Sequence, residues 1–185
     1  ILLMVGVDTE KEVNRLLPKL SHRGPDDHQI IVSDNIALGF VRLAINGQGA
    51  SGAQPYTSST LIGAFNGEIY NQNELVESHD LLPVSCDVHV VLPLFQKLEL
   101  EVLDVLDGFY SGVILNNSTG EIWCMRGHMG KKPLFVGRSG KRTFITSELK
   151  ILDHVDSFTT VPLGLTSINP ENGEVHVLAN HSEPN

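Results

Sequence analysis

The sequence has 185 residues, of which 41% are apolar, so it is long enough for one domain with a hydrophobic core. Its net charge of −9 argues against nucleic-acid partners, which bind basic surfaces, and against docking on an anionic membrane. No run of residues approaches the roughly 20 apolar positions that a membrane-spanning helix needs.

The cysteines and histidines give no indication of a metal site or of a disulfide framework. The two cysteines, Cys86 and Cys124, have neither metal-ligand spacing nor the pattern of a disulfide framework. The eight histidines are scattered and form no His-x-x-x-His pair on a plausible helix face. We therefore expect no metal and no cofactor, and the cysteine usage favours a cytoplasmic protein.

The first predicted elements are a strand and a helix. Residues 1–8 begin with a short apolar run without a basic flank, which is typical of a buried strand rather than of a signal peptide. Thr9 and Glu12 have the spacing of a capping box, in which both side chains bond free N–H groups at a helix start. Pro18 predicts that this helix kinks or ends early. Apolar residues recur at helical spacing, at Val13, Leu16, Leu17 and Leu20.

The middle of the chain alternates predicted strands with short helices. A loop rich in Gly and Ser runs from residue 46 to residue 55. Strand-like runs precede and follow it, at residues 29–33, 36–43 and 60–65. Asn71 and Asp87 are each placed to cap a helix. The second of these helices would bury Val88, Val91, Leu92 and Phe95.

Strand patterns dominate from Phe109 onward. They predict a hairpin with a turn at residues 117–120, a second strand pair and a short helix, over 109–116, 121–126, 134–137, 142–146 and 147–152. Helices clustered in the first half and surrounded by strands predict two sheets packed on each other with helices outside. We expect a single domain over residues 1–185, with a flexible tail at 179–185.

Several segments resemble, in order, the signatures of one enzyme family. Residues 22–26 are similar to the HRGPD signature, and residues 65–71 resemble NGEIYN without a gap. Shorter similarities are to the RLSI strand, QP, the SD before a helix, LDGMFAF, RDRxGxKPLYY and SE-K, at residues 41–45, 54–55, 85–87, 106–109, 126–135 and 147–150. The chain is thus similar to class II (Ntn-type) glutamine amidotransferases, and most of all to the N-terminal glutaminase domain of asparagine synthetase.

This resemblance implies both a fold and a reaction. The fold is the α+β Ntn-hydrolase four-layer αββα sandwich, with two mostly antiparallel sheets and helices outside. Hydrolysis of a side-chain amide needs a nucleophile, a base and donors that stabilise the oxyanion. In the family the nucleophile is an N-terminal cysteine, and its own α-amine is the base.

The resemblance also assigns the pocket residues. The side chain of Asn66 and the backbone N–H of Gly67 would form the oxyanion hole, and glycine suits a close backbone approach. Arg42 would hold the α-carboxylate of glutamine, and Asp87 would pair with its α-ammonium group. The substrate-binding set implied by the matching motifs is Arg42, Leu43, Ile45, Asn66, Gly67, Glu68 and Asp87.

Each of these residues also has a plainer explanation when it is taken alone. Asn66-Gly67 is a common hairpin turn, Arg42 could form a structural ion pair, and Asp87 could be only a helix N-cap. Their joint occurrence in family order favours the pocket. We expect the turn at residues 23–26 to be a scaffold near the pocket, and Cys124 to be a buried core thiol.

The chain departs from the family at the nucleophile. One alignment places Val5 in the nucleophile position and another places Leu2 there, and neither side chain has a lone pair. Cleavage before Thr9 would expose a new nucleophile but would delete the first strand. Cys86 lacks an α-amine base. Elsewhere Gly127 replaces the aspartate of RDR, and the strand at 109–116 is more polar than the family's MFAFALYD.

Three hypotheses follow. The domain is degenerate and is retained to bind glutamine or a related amino acid, or to dock on a partner. Alternatively, it is an active glutaminase whose native N-terminal cysteine is missing from this sequence, or it is a structural module without a ligand. No Ser-Gly-Gly-x-Asp-Ser loop for ATP follows in the sequence, so we expect any ATP-dependent synthetase partner to be a separate polypeptide or segment.

Overall fold

Two antiparallel six-stranded sheets carry the fold in this computed structural model, which describes residues 1–45 and 49–181. The first sheet contains β1 (Leu2–Val5), β2 (Asp27–Ser33), β3 (Ile36–Arg42), β8 (Phe135–Ser139), β9 (Arg142–Thr146) and β10 (Ser157–Thr160). The second contains β4 (Tyr56–Ser58), β5 (Leu61–Ile69), β6 (Gly108–Asn116), β7 (Ile122–Arg126), β11 (Gly164–Ile168) and β12 (Val175–Ala179). Their orders across the sheets are β10-β8-β9-β1-β3-β2 and β12-β11-β7-β6-β5-β4.

The helices are short and connect the strands. The α-helices are α1 (Thr9–Leu16), α2 (Gln72–Ser78), α3 (Val91–Leu98) and α4 (Val102–Val105). Tighter 3-10 turns cover Leu17–Arg23, Gly49–Gly52, Asp87–Val90, Glu99–Glu101 and Leu149–Ile151. Pro18 lies in the first turn of the 3-10 helix that follows α1, which agrees with the predicted early end of the α-helix.

Alternation of side chains along the strands divides the core into three layers. In β1, Leu2 and Met4 pack against α1, whereas Leu3 and Val5 face the second sheet. In β5, Ile62 and Ala64 face the first sheet, and residues of the opposite parity pack on α2–α4. One apolar core thus lies between the sheets and one lies beneath each helical layer. The predicted four-layer αββα sandwich is confirmed.

Two predicted helix caps, the capping box of α1 and the Asn71 cap of α2, are wrong. Asp8, in a left-handed conformation with φ 52°, precedes α1, so Thr9 is already its first helical residue and is buried. Glu12 bonds Arg15 instead of the helix start. The Asn71 side chain donates to the Val105 carbonyl and accepts from the Asp107 N–H, so it braces a turn rather than capping α2. At α1 the replacing contacts are local, whereas at Asn71 contacts with a distant part of the chain displaced the cap.

The second half follows the sequence patterns closely. β6, β7 and β9 match the expected runs within one residue, and the predicted helix at 147–152 is reduced to one 3-10 turn. The predicted tail begins within β12, which ends at Ala179, and Nε2 of His181 lies 3.0 Å from the Arg126 carbonyl oxygen. Residues 46–48 of the predicted loop and residues 182–185 of the predicted tail lie outside the described residues.

Candidate functional site

A pocket of about 350 Å³ lies at one end of the space between the sheets. Strand alternation explains its location, because Arg42 follows Phe40 on the inner face of β3 and Asn66 follows Ala64 on the inner face of β5. Ile1 lines the same pocket, next to the start of β1. The inner faces of the two sheets bury apolar residues along most of their length. At the pocket end, they present polar groups instead.

The HRGPD turn holds the backbone of Arg42 from two directions. The Asp26 N–H donates to the Arg42 carbonyl over 3.1 Å, and the Asp26 carboxylate accepts from the Ala44 N–H over 2.8 Å. Gly24 passes so close that a Cβ on it would lie 2.5 Å from the Arg42 backbone nitrogen. This geometry agrees with the scaffold role predicted for the turn, and Arg23 of the same turn also lines the pocket.

Arg42 is a buried cation at the end of β3, with 6% of its surface exposed. Its Nη1 donates to the Gly49 carbonyl over 2.7 Å, so the loop after β3 helps to orient the guanidinium. Such buried fork-shaped cations match carboxylates well, because two parallel N–H groups can reach both oxygens.

Asp87 lies in the same pocket and is also buried. It is the first residue of the 3-10 turn Asp87–Val90, which precedes α3, and makes no capping bond there, so the predicted N-cap role is wrong. Its Oδ2 instead accepts from the Ile69 N–H at the end of β5 over 2.7 Å. The carboxylate is thereby tied to the strand that carries Asn66.

Gly67 has a conformation that requires glycine. Its φ is +149°, and a Cβ would lie 2.0 Å from the Phe109 carbonyl oxygen on β6. Asn66 beside it is half-buried, and its side-chain amide has no hydrogen-bond partner within residues 1–45 and 49–181. The hairpin-turn alternative for Asn66-Gly67 is therefore wrong, because both residues lie inside β5.

Gln54, matched only as part of the QP motif, is a buried clamp on β5. Its Oε1 accepts from the Phe65 N–H over 2.7 Å, and its Nε2 donates to the Phe65 carbonyl over 3.1 Å. The side chain thus supplies both bonds that a neighbouring strand would supply, directly before Asn66. This clamp holds the backbone of the residue preceding the predicted oxyanion hole.

Neither Val5 nor Leu2, the two residues that the sequence alignments place in the nucleophile position, lines the pocket, whereas Ile1 does. Leu2 points to the helical side of β1 and packs near α1. Val5 shares the inner face with Ile1 but pairs with Ile36 and Thr143, and four strand residues span about 13 Å. Of the three residues, Ile1 lines the pocket.

The main-chain nitrogen of Ile1 lies within a polar network. It donates to Ser147 Oγ over 3.3 Å. Burial, assisted by the positive charge of Arg23, lowers the pKa of this α-amino group from 8.0 to about 5. An α-amine at this position is therefore uncharged at neutral pH and has the lone pair that a general base needs.

Glu148 connects that network to the HRGPD turn. Its carboxylate accepts from Arg23 over 2.8 Å, and it lies 3.0 Å from both His22 and Lys150. Burial alone would raise the pKa of Glu148, but the bonds from Arg23, Lys150 and His22 outweigh it and lower the pKa to about 2. Glu148 is thus an anion at the junction between the turn and the end of β9.

The remaining predicted residues form the rim of the pocket. Leu43 and Ile45 line it but are 54% and 65% exposed, and Glu68 is half-buried. The Lys132 ammonium lies 5.0 Å from the centre of the Phe109 ring, and both residues also line the pocket. Burial, together with the positive charges of Arg23 and Lys131, lowers the pKa of Lys132.

The two cysteines lie in different environments. Cys86 lines the pocket beside Asp87, and burial together with that carboxylate raises the pKa of its thiol. Cys124 lies between the sheets as expected for a core thiol, and burial raises its pKa as well. Neither thiol has the lowered pKa that marks a reactive cysteine.

The structure brings all seven predicted substrate-binding residues to one pocket. Pocket residues that the sequence did not single out as site residues include Ile1, Arg23, Gln54, Cys86, Phe109 and Lys132. All of these except Ile1 belong to quoted motifs, which was the available signal. Within the described ranges, no helix has the length and apolarity needed to cross a membrane.

Comparison with known proteins matches most of this chain to one protein family. A family model described as glutamine amidotransferase domain matches residues 2–163. A putative glutamine-hydrolysing asparagine synthetase 2 from Methanocaldococcus jannaschii is 32% identical over 162 residues, covering 76% of this chain and 32% of that protein. Glutamine-hydrolysing asparagine synthetase B from Escherichia coli is 33% identical over 153 residues, covering 80% and 27%. The chain therefore spans about a third or less of the length of these relatives.

Solved structures share the fold at lower identity. Glutamine phosphoribosylpyrophosphate amidotransferase from B. subtilis aligns with 96% of this chain and 49% of its own, with a TM-score of 0.81 and 20% identity. A structure described as the allosteric regulatory enzyme of purine biosynthesis aligns with a TM-score of 0.82 and 21% identity, over 96% of this chain and 48% of that one.

Proposed function

Because this chain belongs to the glutamine amidotransferase domain family, we propose that its pocket binds free glutamine, or a closely related amino acid, as a zwitterion. One observation carries the proposal. A buried cation, a buried anion and a pair of carbonyl-directed donors line the same pocket, at Arg42, Asp87, Asn66 and Gly67. A free amino acid with a side-chain amide presents the complementary set of groups.

Arg42 binds the α-carboxylate in this proposal. Its fork geometry allows two parallel bonds to one carboxylate. The Gly49 carbonyl and the turn at residues 22–26 orient it before a ligand arrives. Preorganisation lowers the cost of ordering side chains on binding.

Asp87 binds the α-ammonium group. One oxygen is anchored by the Ile69 N–H, which fixes the direction of the carboxylate. Asn66 and Gly67 then donate to the side-chain carbonyl of the ligand, Asn66 through Nδ2 and Gly67 through its backbone N–H. Leu43, Ile45 and Glu68 border the entrance.

We propose further that the chain, with the sequence as it stands, holds glutamine without cleaving it. We assign the nucleophile position to Ile1, because Ile1 lines the pocket and neither Val5 nor Leu2 does, and its hydrocarbon side chain has no lone pair. Cys86 lies beside the ammonium ligand Asp87, so its thiol would face the wrong end of the substrate. The domain over residues 1–185 would then serve as an amino-acid-binding unit.

A second candidate is an active glutaminase that carries cysteine at the position of Ile1 in the native protein. One observation favours it, because an α-amine at this position has its pKa lowered to about 5 and bonds Ser147. That is the environment in which an N-terminal cysteine could use its own amine as base.

The binding proposal is tested by calorimetry of the whole chain with glutamine, glutamate, asparagine and norvaline. We expect one glutamine per chain, with weaker binding of norvaline because it lacks the side-chain carbonyl. Assays of ammonia release under the same conditions should show no turnover. Absence of heat with every amino acid would favour a structural module without a ligand, and turnover would refute the non-hydrolytic proposal.

Restoring a nucleophile tests the amide end directly. An Ile1→Cys variant with a free α-amine should release ammonia from glutamine at a rate well above that of the unchanged chain. The matched control is Ile1→Cys combined with Asn66→Ala, which should lose about 10²–10³-fold in rate if Asn66 stabilises the oxyanion. A folded Ile1→Cys variant that binds glutamine but releases no ammonia would contradict the assigned oxyanion hole.

We also propose a synthetase partner and a cytoplasmic location. The relatives named above are glutamine-hydrolysing asparagine synthetases, and they are about three times as long as the matched region or longer. An ATP-dependent synthetase, as a separate subunit or a further segment, would be the acceptor of ammonia or the docking partner. Both cysteines are free thiols, as is usual in the reducing cytosol.

A further inference from the structure

We propose that Ser111 is a positioning residue that orients the side-chain amide of Asn66 toward the carbonyl of the bound ligand. The inference rests on the proposed binding of glutamine and deepens it. According to this inference, the preference for a ligand with a side-chain amide depends on the Ser111 hydroxyl as well as on the groups that line the pocket.

Strand register places Ser111 beside Asn66. The two residues are directly opposite in the antiparallel pairing of β5 with β6. Opposite residues project from the same face of a sheet, with Cβ atoms about 4.5–5.5 Å apart. That face is the inner one, because Ala64 on β5 and Val113 on β6 both belong to the core between the sheets.

Both side chains have unused hydrogen-bonding groups. Ser111 is fully buried, and its Oγ has no hydrogen-bond partner within the described residues. Buried hydroxyls without a partner are rare in native proteins, so this one calls for an explanation. The Asn66 amide likewise has no partner among residues 1–45 and 49–181, and it lines the pocket.

The other cross-strand neighbour of Ser111 is already engaged. Arg126 on β7 lies opposite Ser111, but its guanidinium donates to the carbonyls of Gly130, Lys132 and Val161. Those bonds direct Arg126 to the loop after β7 and to the segment between β10 and β11. Asn66 is therefore the neighbour with capacity for a bond to the Ser111 hydroxyl.

A bond from the Ser111 hydroxyl would determine which atom of the Asn66 amide faces the ligand. The side chain presents an oxygen acceptor on one side and an NH₂ donor on the other, and rotation about χ2 exchanges them. A hydroxyl that donates to Oδ1 would leave Nδ2 directed at the ligand carbonyl. Without the hydroxyl, the amide is free to present the wrong atom.

The test compares glutamine with norvaline in calorimetry of the whole chain. Ser111→Ala should weaken glutamine binding about 5–10-fold, the value of one ordinary hydrogen bond, and leave norvaline binding unchanged. In an Asn66→Ala background the same substitution should have no further effect, since coupled residues are not additive. Thermal stability of Ser111→Ala without ligand should not fall, because the Ser111 hydroxyl has no hydrogen-bond partner among the described residues of the ligand-free chain.

Thr166→Val is the matched control. Thr166 is another fully buried hydroxyl in the same sheet, but it already donates to the Cys124 carbonyl. Its removal should lower thermal stability and leave the ratio of glutamine to norvaline affinity unchanged.

Several results would overturn the positioning role of Ser111. These are unchanged glutamine affinity in Ser111→Ala, equal losses for both ligands, a further loss in the Asn66→Ala background, or a drop in thermal stability. An unchanged chain that binds neither ligand is a different result, because it refutes the proposed function itself and this inference with it.

Discussion

The two ends of the pocket are built differently. The amino-acid end, comprising Arg42 and Asp87, uses full charges, and both are buried and tied to backbone groups of neighbouring loops and strands. The amide end, comprising Ile1, Asn66 and Gly67, uses neutral groups on strands. A buried charge is costly unless its position is supported, whereas a carbonyl-directed donor mainly needs close approach.

This difference separates affinity from specificity. In the proposed complex, the amino-acid end would recognise groups common to all free amino acids, and its charge-assisted bonds would supply most of the binding energy. The amide end would distinguish glutamine from ligands that lack a side-chain carbonyl. Substitutions at the amino-acid end should therefore weaken the binding of glutamine and norvaline alike. Substitutions at the amide end should weaken the binding of glutamine alone.

The largest effect is expected from Arg42→Ala. Loss of the guanidinium removes the partner of the α-carboxylate, so glutamine and norvaline should both bind at least about 100-fold more weakly in calorimetry. Arg42→Lys should give an intermediate loss, because it keeps the charge without the fork. The control is Arg15→Ala, an exposed arginine of α1 with the same change in charge.

A glutamine affinity unchanged by Arg42→Ala would remove the zwitterion model. Selective loss of glutamine, with norvaline unaffected, would instead place Arg42 at the amide end.

Asn66→Ala should have a smaller and selective effect. We expect glutamine binding to weaken about 10-fold through the loss of one carbonyl-directed donor, while norvaline binding stays unchanged. Thermal stability should change little, because the amide of Asn66 is half-buried and bonds no described residue. Equal losses of affinity for glutamine and norvaline would show that Asn66 does not act on the side-chain amide alone, and would contradict the division of the pocket into two ends.

The smallest effect is expected from Glu148→Gln, which alters the support shared by both ends. The pKa of Glu148 is lowered to about 2, below its ordinary value of 4.5, so its contribution to stability is present above pH 4.5 and is lost as the pH falls toward 2. Thermal unfolding of the variant should occur about 2–4 °C lower at pH 7, with the gap closing near pH 2. Ligand binding at pH 7 should change less than threefold.

Glu77→Gln is the control for that measurement, because Glu77 is an exposed carboxylate of α2 with no ion pair among the described residues. A gap between the unchanged chain and Glu148→Gln that widens as the pH falls would contradict the sign derived for Glu148.

Much of the fold could be predicted because strands and helices have distinct hydrophobic periods. β9 was located to the residue and β6 within one residue, since alternation and a turn sequence delimit them locally. Local capping patterns were less reliable. Asp8 takes the place before α1, and the side chain of Asn71 bonds a turn more than thirty residues away, which no local spacing reveals.

The candidate site was partly predictable for a similar reason. Motif order alone led to Arg42, Asn66, Gly67 and Asp87, and the strand faces then place them around one pocket. Val5 and Leu2 were predicted for the nucleophile position, but Ile1 lines the pocket instead of either. Glycine alignment does not report which face of β1 a residue occupies or which end of the strand reaches the pocket.

By itself, the sequence determined the strand and helix pattern, the acidic character of the chain and the family motifs, since all of these are read from neighbouring residues. Only the tertiary structure decided that Ile1 lines the pocket, that Gln54 clamps β5 and that Ser111 lies opposite Asn66 with no hydrogen-bond partner among the described residues. Those facts depend on register between strands distant in the chain, and register is set by how the two sheets bury their inner faces against each other.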